Sequence, residues 1–151
     1  MKEPSSEFKA LRDKALAGDV TAQNRLGNWL RKGKYCEKDP VAAIRWYRVA
    51  ARQGFAPALN NLALRYYKGE GCEKNLEEAV TLFRAAAELS EPNAQFNLAI
   101  CLSKGDGCKK DYNEAVKWFH AAIVNGYSKA HKYLEKEVIP NLMEAAKGGG
   151  C

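Results

Sequence analysis

Apolar residues recur along this chain at helical spacing. Within residues 56–68, Ala58, Leu62 and Tyr66 fall four apart and are followed by Gly69, a stripe with a stop signal that predicts a helix, here termed A. After the polar loop Gly69 to Lys74, Asn75 with Glu78 three residues on has the form of a capping box and opens a second helix, B, running to about Leu89. Asp111 and Glu114 repeat the box. In the first copy Asp39 keeps the cap, Ala42 replaces the glutamate and Pro40 takes the first helical position, where a missing N–H costs nothing. The buried face of B reads Ala43, Trp46, Tyr47, Ala50, then Ala79, Leu82, Phe83, Ala86, then Ala115, Trp118, Phe119, Ala122. Alanines let neighbouring helices approach and the large residues fill the space between A and B, so the recurring aromatic stripe is read as core and not as a ligand box.

The copies keep register. Ala22, Ala58, Ala94 and Ala130 stand 36 residues apart, as do Leu26, Leu62, Leu98 and Leu134, then Gly33, Gly69 and Gly105, and Cys36, Cys72 and Cys108. A fixed period of this length marks a unit that cannot bury its own apolar face and stacks on copies of itself, a solenoid. The expected organisation is one domain over 1–147. It comprises a capping helix at 5–17, full repeats at 19–54, 55–90 and 91–126, and a partial repeat with a C-terminal cap at 127–147. In that last part a fourth helix A is expected from Ser128 to Glu137, with Pro140 separating a short helix around Asn141–Lys147 that covers it. Residues 148–151 are expected to be a flexible tail, and its terminal Cys151 an exposed thiol.

The run Ala58-x-x-Asn61-Leu62-Ala63-x-x-Tyr66-Tyr67-x-Gly69-x-Gly71, with Glu78-Ala79 and the Ala85-Ala86-Ala87 ending, resembles Sel1-like repeats, relatives of the tetratricopeptide repeat. The resemblance covers residues 17–134. It implies an all-α fold, a right-handed α/α superhelix whose A helices line a concave surface, and a role as an adaptor in signalling, secretion or complex assembly. Copy one departs where Tyr35 replaces the second loop glycine, and a differently turned loop is expected there because only Gly takes positive φ without penalty. The family usually has a small aliphatic residue at the positions of Cys36, Cys72 and Cys108, so these are read as small buried hydrophobes. Some secreted, cysteine-rich relatives carry a disulfide across each B-to-A turn and have been discussed as penicillin binders. Here those turns hold alanines.

Composition changes the picture little: 151 residues, 46% hydrophobic and 28% charged, fit one folded domain. No apolar run is long enough for a signal segment or a membrane span, so a cytoplasmic location is expected, or a periplasmic or secreted one if a signal peptide has been removed. Cysteines one repeat apart are too distant to bridge, which leaves Cys101 and Cys108 as the only pair within reach; free thiols in a reducing compartment are the expected state. No nucleophile–base arrangement, no phosphate-binding glycine motif and no zinc spacing beside His120 or His131 is present, so neither enzyme activity, a metal nor a cofactor is expected.

The net charge of +6 gathers in two columns, Lys32, Lys68, Lys104 and Lys38, Lys74, Lys110, along the edge formed by the A–B loops. Glu37, Glu70, Glu73 and Asp106 interleave with it, and no aromatic–basic alternation points to nucleic acid. The stronger signal is the face of A opposite Ala58, Leu62 and Tyr66. At about 100° per residue it presents Asn24, Asn28, Arg31, then Asn60, Leu64, Tyr67, then Phe96, Ile100, Ser103. Leu64, Tyr67, Phe96 and Ile100 would form a contiguous apolar patch, a feature that marks binding sites, or else pack between adjacent A helices or under the C-terminal segment carrying Ile139 and Leu142. The leading expectation is a non-enzymatic, monomeric module gripping a peptide or protein in this groove, with Asn24, Asn28, Arg31, Asn60, Asn61 and Asn97 supplying hydrogen bonds. Alternatives are a partner that neutralises a toxin or effector, an enzyme acting on β-lactam or cell-wall compounds, and an engineered scaffold, the last disfavoured by the irregular surface positions Tyr35, Arg65 and Cys101.

Overall fold

The computed structural model describes residues 3–149, and every regular element among them is helical. In order these are α1 (Ser6–Leu16), α2 (Val20–Lys32), α3 (Pro40–Arg52), α4 (Ala56–Lys68), α5 (Leu76–Glu88), α6 (Pro92–Lys104), α7 (Tyr112–Val124), α8 (Lys129–Tyr133), a π-helical turn (Leu134–Val138) and α9 (Ile139–Gly148). Helices α2, α4, α6 and α8 take the A role, and α1, α3, α5 and α7 the B role. Helices α2, α4 and α6 each pack most extensively on the B that follows, which makes A–B the structural unit. Gly148 closes α9, so the tail expected at 148–151 starts inside a helix; Gly150 and Cys151 lie outside the described residues.

The B helices start where their caps dictate: side chains of Asp39, Asn75 and Asp111 accept from the N–H of Ala42, Glu78 and Glu114. Only that half of the expected capping box forms. The N–H groups of Asn75 and Asp111 are already spent on the carbonyls of Tyr66 and Leu102, at 2.9 Å each. Glu114 turns instead to Arg84 of the previous B helix at 2.6 Å and accepts from the Trp118 indole.

The core runs the length of the stack. Tyr47, Phe83 and Phe119 are fully buried between A and B, whereas their expected partners Trp46, Leu82 and Trp118 are only half-buried, Leu82 packing against the N-terminal cluster that holds Ile44 and Leu62. The first unit fits its larger ring with a smaller neighbour: a Cβ on Gly27 would lie 2.6 Å from Tyr47 Cε1. The equivalent positions of the later units pair Ala63 with Phe83 and Ala99 with Phe119, all buried. Two amide staples reinforce this. Buried Gln23 donates to the Ala15 carbonyl at 3.1 Å and accepts from Gln53 at 2.8 Å; Gln95 donates to the Ala87 carbonyl and accepts from Asn125. In the middle unit both polar partners are exchanged together, for Leu59 and Leu89.

The loop at Tyr35 is not turned differently. Tyr35 has φ +61°, matching Gly71 at +75° and Gly107 at +69°. Those two glycines are required because each loop presses on the N-terminus of the B helix before it: a Cβ on Gly71 would lie 2.5 Å from the Pro40 carbonyl oxygen. At Tyr35 the loop meets the segment just ahead of α1, with Ser5 N–H donating to the Tyr35 carbonyl, and the phenol tilts against Trp29 at 4.7 Å.

The fourth A helix also departs from expectation. Ala130, Leu134 and Val138 are buried as their columns require, but the helix widens into a π turn, with Ile139 N–H bonded to the Leu134 carbonyl five residues back. A proline in a regular helix clashes with the carbonyl four residues before it, and the wider turn ahead of Pro140 relieves that conflict. Pro140 therefore does not separate a new helix. Helix α9 runs on from the turn and buries none of its residues, so it does not cover the fourth A helix. Both end faces are instead polar by substitution. Glu7 and Lys14 of α1 replace the buried alanines of the B columns (43, 79, 115 and 50, 86, 122), and Glu135 replaces the small residues 27, 63 and 99.

Candidate functional site

Adjacent A helices meet through one repeated contact, residue i on the earlier helix with i+37 on the later. Asn61 Nδ2 donates to Asn24 Oδ1 at 2.9 Å and Asn97 Nδ2 to Asn60 Oδ1 at 3.0 Å. The third occurrence replaces amides with rings: Tyr133 meets Phe96 edge-on at 5.8 Å. The asparagines thus bond one another, and Asn60 is buried, as is Ser103, whose hydroxyl donates to the Ile100 carbonyl of its own helix. Neither of these two can face a partner. Asn28 accepts from the Tyr47 hydroxyl at 2.7 Å, with half-buried Arg31 beside that phenol. Burial raises the Tyr47 pKa, and Arg31 offsets part of the rise.

Leu64, Tyr67, Phe96 and Ile100 are half-buried and together line an open pocket of about 310 Å³. Phe83 forms part of its lining, as do Asn97, Cys101 and Tyr133, and Lys68 and Lys104 complete it. Tyr67 is fixed there: its hydroxyl donates to Asp106 of the next A–B loop at 2.6 Å, which holds the phenol proton and raises its pKa. Phe96 is fixed as well, tilted against Tyr127 at 4.7 Å and edge-on to Phe119 at 5.7 Å. Tyr133 and Phe83 were not among the residues expected here. The repeat signalled Tyr133, which stands 36 residues after Asn97.

A second hollow of about 480 Å³ shares Phe96 and Tyr133 with the first and is bordered by Lys129, Lys132 and Lys136. The six lysines of the loop edge are all exposed, and their surroundings differ. Lys68 and Lys104 line the groove, Lys38 lies by Pro4 and Phe8 at the N-terminal end, and Lys110 sits over the Tyr112 ring at 5.1 Å.

Arg65 and Cys101 are interior and not surface residues. Arg65 pairs with Glu70, while burial lowers its pKa and leaves its Nε unpartnered. Cys72, Cys101 and Cys108 are free thiols, and Cys108 Sγ donates to the Cys101 carbonyl at 3.6 Å. Cys36, the buried member of its column, makes the same bond to the Trp29 carbonyl at 3.7 Å. Burial pushes the Cys101 thiol up to about 12. Among the described residues no group of three or more His, Cys, Asp or Glu could hold a metal ion, and no helix is long and apolar enough to cross a membrane.

Paired helices stacked in register, with an apolar groove along one set, define an α/α solenoid of the interaction-repeat class. The chain belongs to the Sel1 repeat family, whose pattern matches residues 20–55, 56–91 and 92–127. Sel1 repeats generally serve as protein–protein interaction modules and are typically non-catalytic. Among solved structures, a protective antigen of uropathogenic Escherichia coli with an SLR fold is 36% identical (TM-score 0.80) over 87% of this chain and 29% of its own. A Sel1 repeat protein from Oxalobacter formigenes is also 36% identical (TM-score 0.73), over 80% of this chain and 51% of its own. Helicobacter pylori cysteine-rich protein B, 22% identical with TM-score 0.69 over 86% of this chain and 98% of its own, shares the fold. The chain thus spans about a third and a half of the first two relatives. No curated protein matches it significantly.

Proposed function

We propose that this chain is a non-enzymatic interaction module that holds a protein or peptide in the groove of its A helices, anchored by Leu64, Tyr67, Phe96 and Ile100. The observation that supports this most is the apolar pocket left open between the later A helices. Two of its walls, Tyr67 and Phe96, are immobilised by contacts of their own, so an arriving side chain meets a rigid surface and little conformational entropy is lost on binding. Free thiols are consistent with work in a reducing compartment.

The test is an affinity capture under reducing conditions with the wild type beside a Leu64→Ser/Ile100→Ser variant. These two residues border the pocket without belonging to the ring cluster, so helicity should persist, as checked by circular dichroism. A protein recovered by the wild type and lost by the variant supports the groove; equal recovery overturns it.

A further inference from the structure

The two hollows that meet at Phe96 and Tyr133 are apolar at their centre and cationic at both margins. Lys68 and Lys104 stand on one side, Lys129, Lys132 and Lys136 on the other, all exposed. Against these five lysines the only carboxylate among the lining residues is Glu137; Asp106, which accepts from the Tyr67 hydroxyl, is not one of them. Such a groove leaves cations unpaired around an apolar floor, and the occupant that satisfies both is a segment with bulky apolar side chains flanked by carboxylates. We propose, resting on the groove reading above, that the partner presents an acidic peptide segment with large apolar residues between its acids, and that the lysines of this groove, not the net charge of the chain, select it.

The N-terminal half of the stack argues for selection at this place. The same A-helix positions there carry Asn24, Asn28 and Arg31, with the asparagines already bonded to Asn61 and to Tyr47. Lys38 and Lys74 are as exposed as the groove lysines but line neither hollow, so they report the effect of charge alone.

The probes are fluorescein-labelled twelve-residue peptides carrying Leu and Phe at fixed central positions with flanks of Glu, of Ser or of Lys, plus an all-Glu peptide, read by fluorescence polarisation. The Glu-flanked peptide is expected to bind on the order of tenfold more tightly than the Ser-flanked one at low salt, with the gap narrowing at high salt, and the Lys-flanked one not at all. Lys104→Glu/Lys132→Glu should cost it roughly tenfold or more, and so should Lys68→Glu/Lys136→Glu as an independent pair. Lys38→Glu/Lys74→Glu should leave it within about twofold, since those charges lie outside the site. Equal binding of Glu- and Ser-flanked peptides would overturn the charge selection while leaving the groove reading in place. Equal losses from the groove and control lysines would replace the site with a general field, and binding of all-Glu peptide as tight as the apolar one would make it a polyanion surface. If no peptide binds, the inference fails, and the capture experiment with the Leu64→Ser/Ile100→Ser variant decides separately whether the groove does.

Discussion

At the scale of single residues, the fit of Gly27 to Tyr47 is the sharpest constraint in the molecule. Gly27→Ala places a methyl group into the ring, and overpacking of this kind costs about 1–3 kcal/mol. Tyr47→Phe removes the bond to Asn28 and frees the ring to settle as Phe83 does beside Ala63. In urea titrations the double variant should therefore lose less than the sum of the two single losses; strict additivity would show that the two sites do not communicate. Cys101 supplies a second readout. With its thiol protonated up to about pH 12 and buried, it should resist iodoacetamide at pH 8 until the protein opens, and its labelling rate should follow unfolding as denaturant rises. Rapid labelling of Cys101 in the native state would contradict that packing.

At the scale of elements, the B-to-A turns carry the clearest imperfection. Gly54 and Gly126 hold the left-handed conformation that Ser90 takes at φ +63° in the middle turn. Ser90→Gly should stabilise the protein by about 0.5–1 kcal/mol, the relief of an L-residue in that region less the added freedom of glycine in the unfolded chain. By thermal melting this is an increase of about 1–4 °C for a chain of this size; a fall would show that the serine side chain contributes something the turn needs. The helices themselves were legible in the sequence because Asp39, Asn75 and Asp111 stop and start them locally, and Tyr47, Phe83 and Phe119 repeat in step. The π turn was not, since the conflict at Pro140 can be met either by ending a helix or by widening it, and residues on both sides of it decide which.

At the scale of the whole molecule, the first B helix and the fourth A helix carry charge where the interior columns carry small residues: Glu7, Lys14 and Glu135. Glu7→Ala/Lys14→Ala/Glu135→Ala restores the interior pattern at both ends and should produce concentration-dependent self-association by sedimentation velocity, whereas the wild type gains no such contact. A variant with unchanged sedimentation would mean that shape, and not charge, governs contact at these two faces. The candidate groove was only partly readable in advance. A helical wheel built on one buried stripe set Asn60 and Ser103 beside Leu64 and Ile100, yet an A helix touches its own B, the previous B and the next A, and the third contact buries Asn60 with Asn97. Tyr133 entered the site through that same contact, which no single repeat contains. One further consequence follows from where the matched pairs fall. Gly27 with Tyr47, Gln23 with Gln53 and Gln95 with Asn125 each join an A helix to the B helix that follows it, and Leu59 and Leu89 changed together in the same relation. Genetic exchange that breaks the chain in the B-to-A turns inherits these pairs intact, while a breakpoint in an A–B loop parts ring from glycine and amide from amide. The segment that duplicates and recombines without internal conflict therefore begins with A and ends with B, and chimaeras of related arrays should survive joins near residues 54, 90 and 126 and fail at those near 36, 72 and 108.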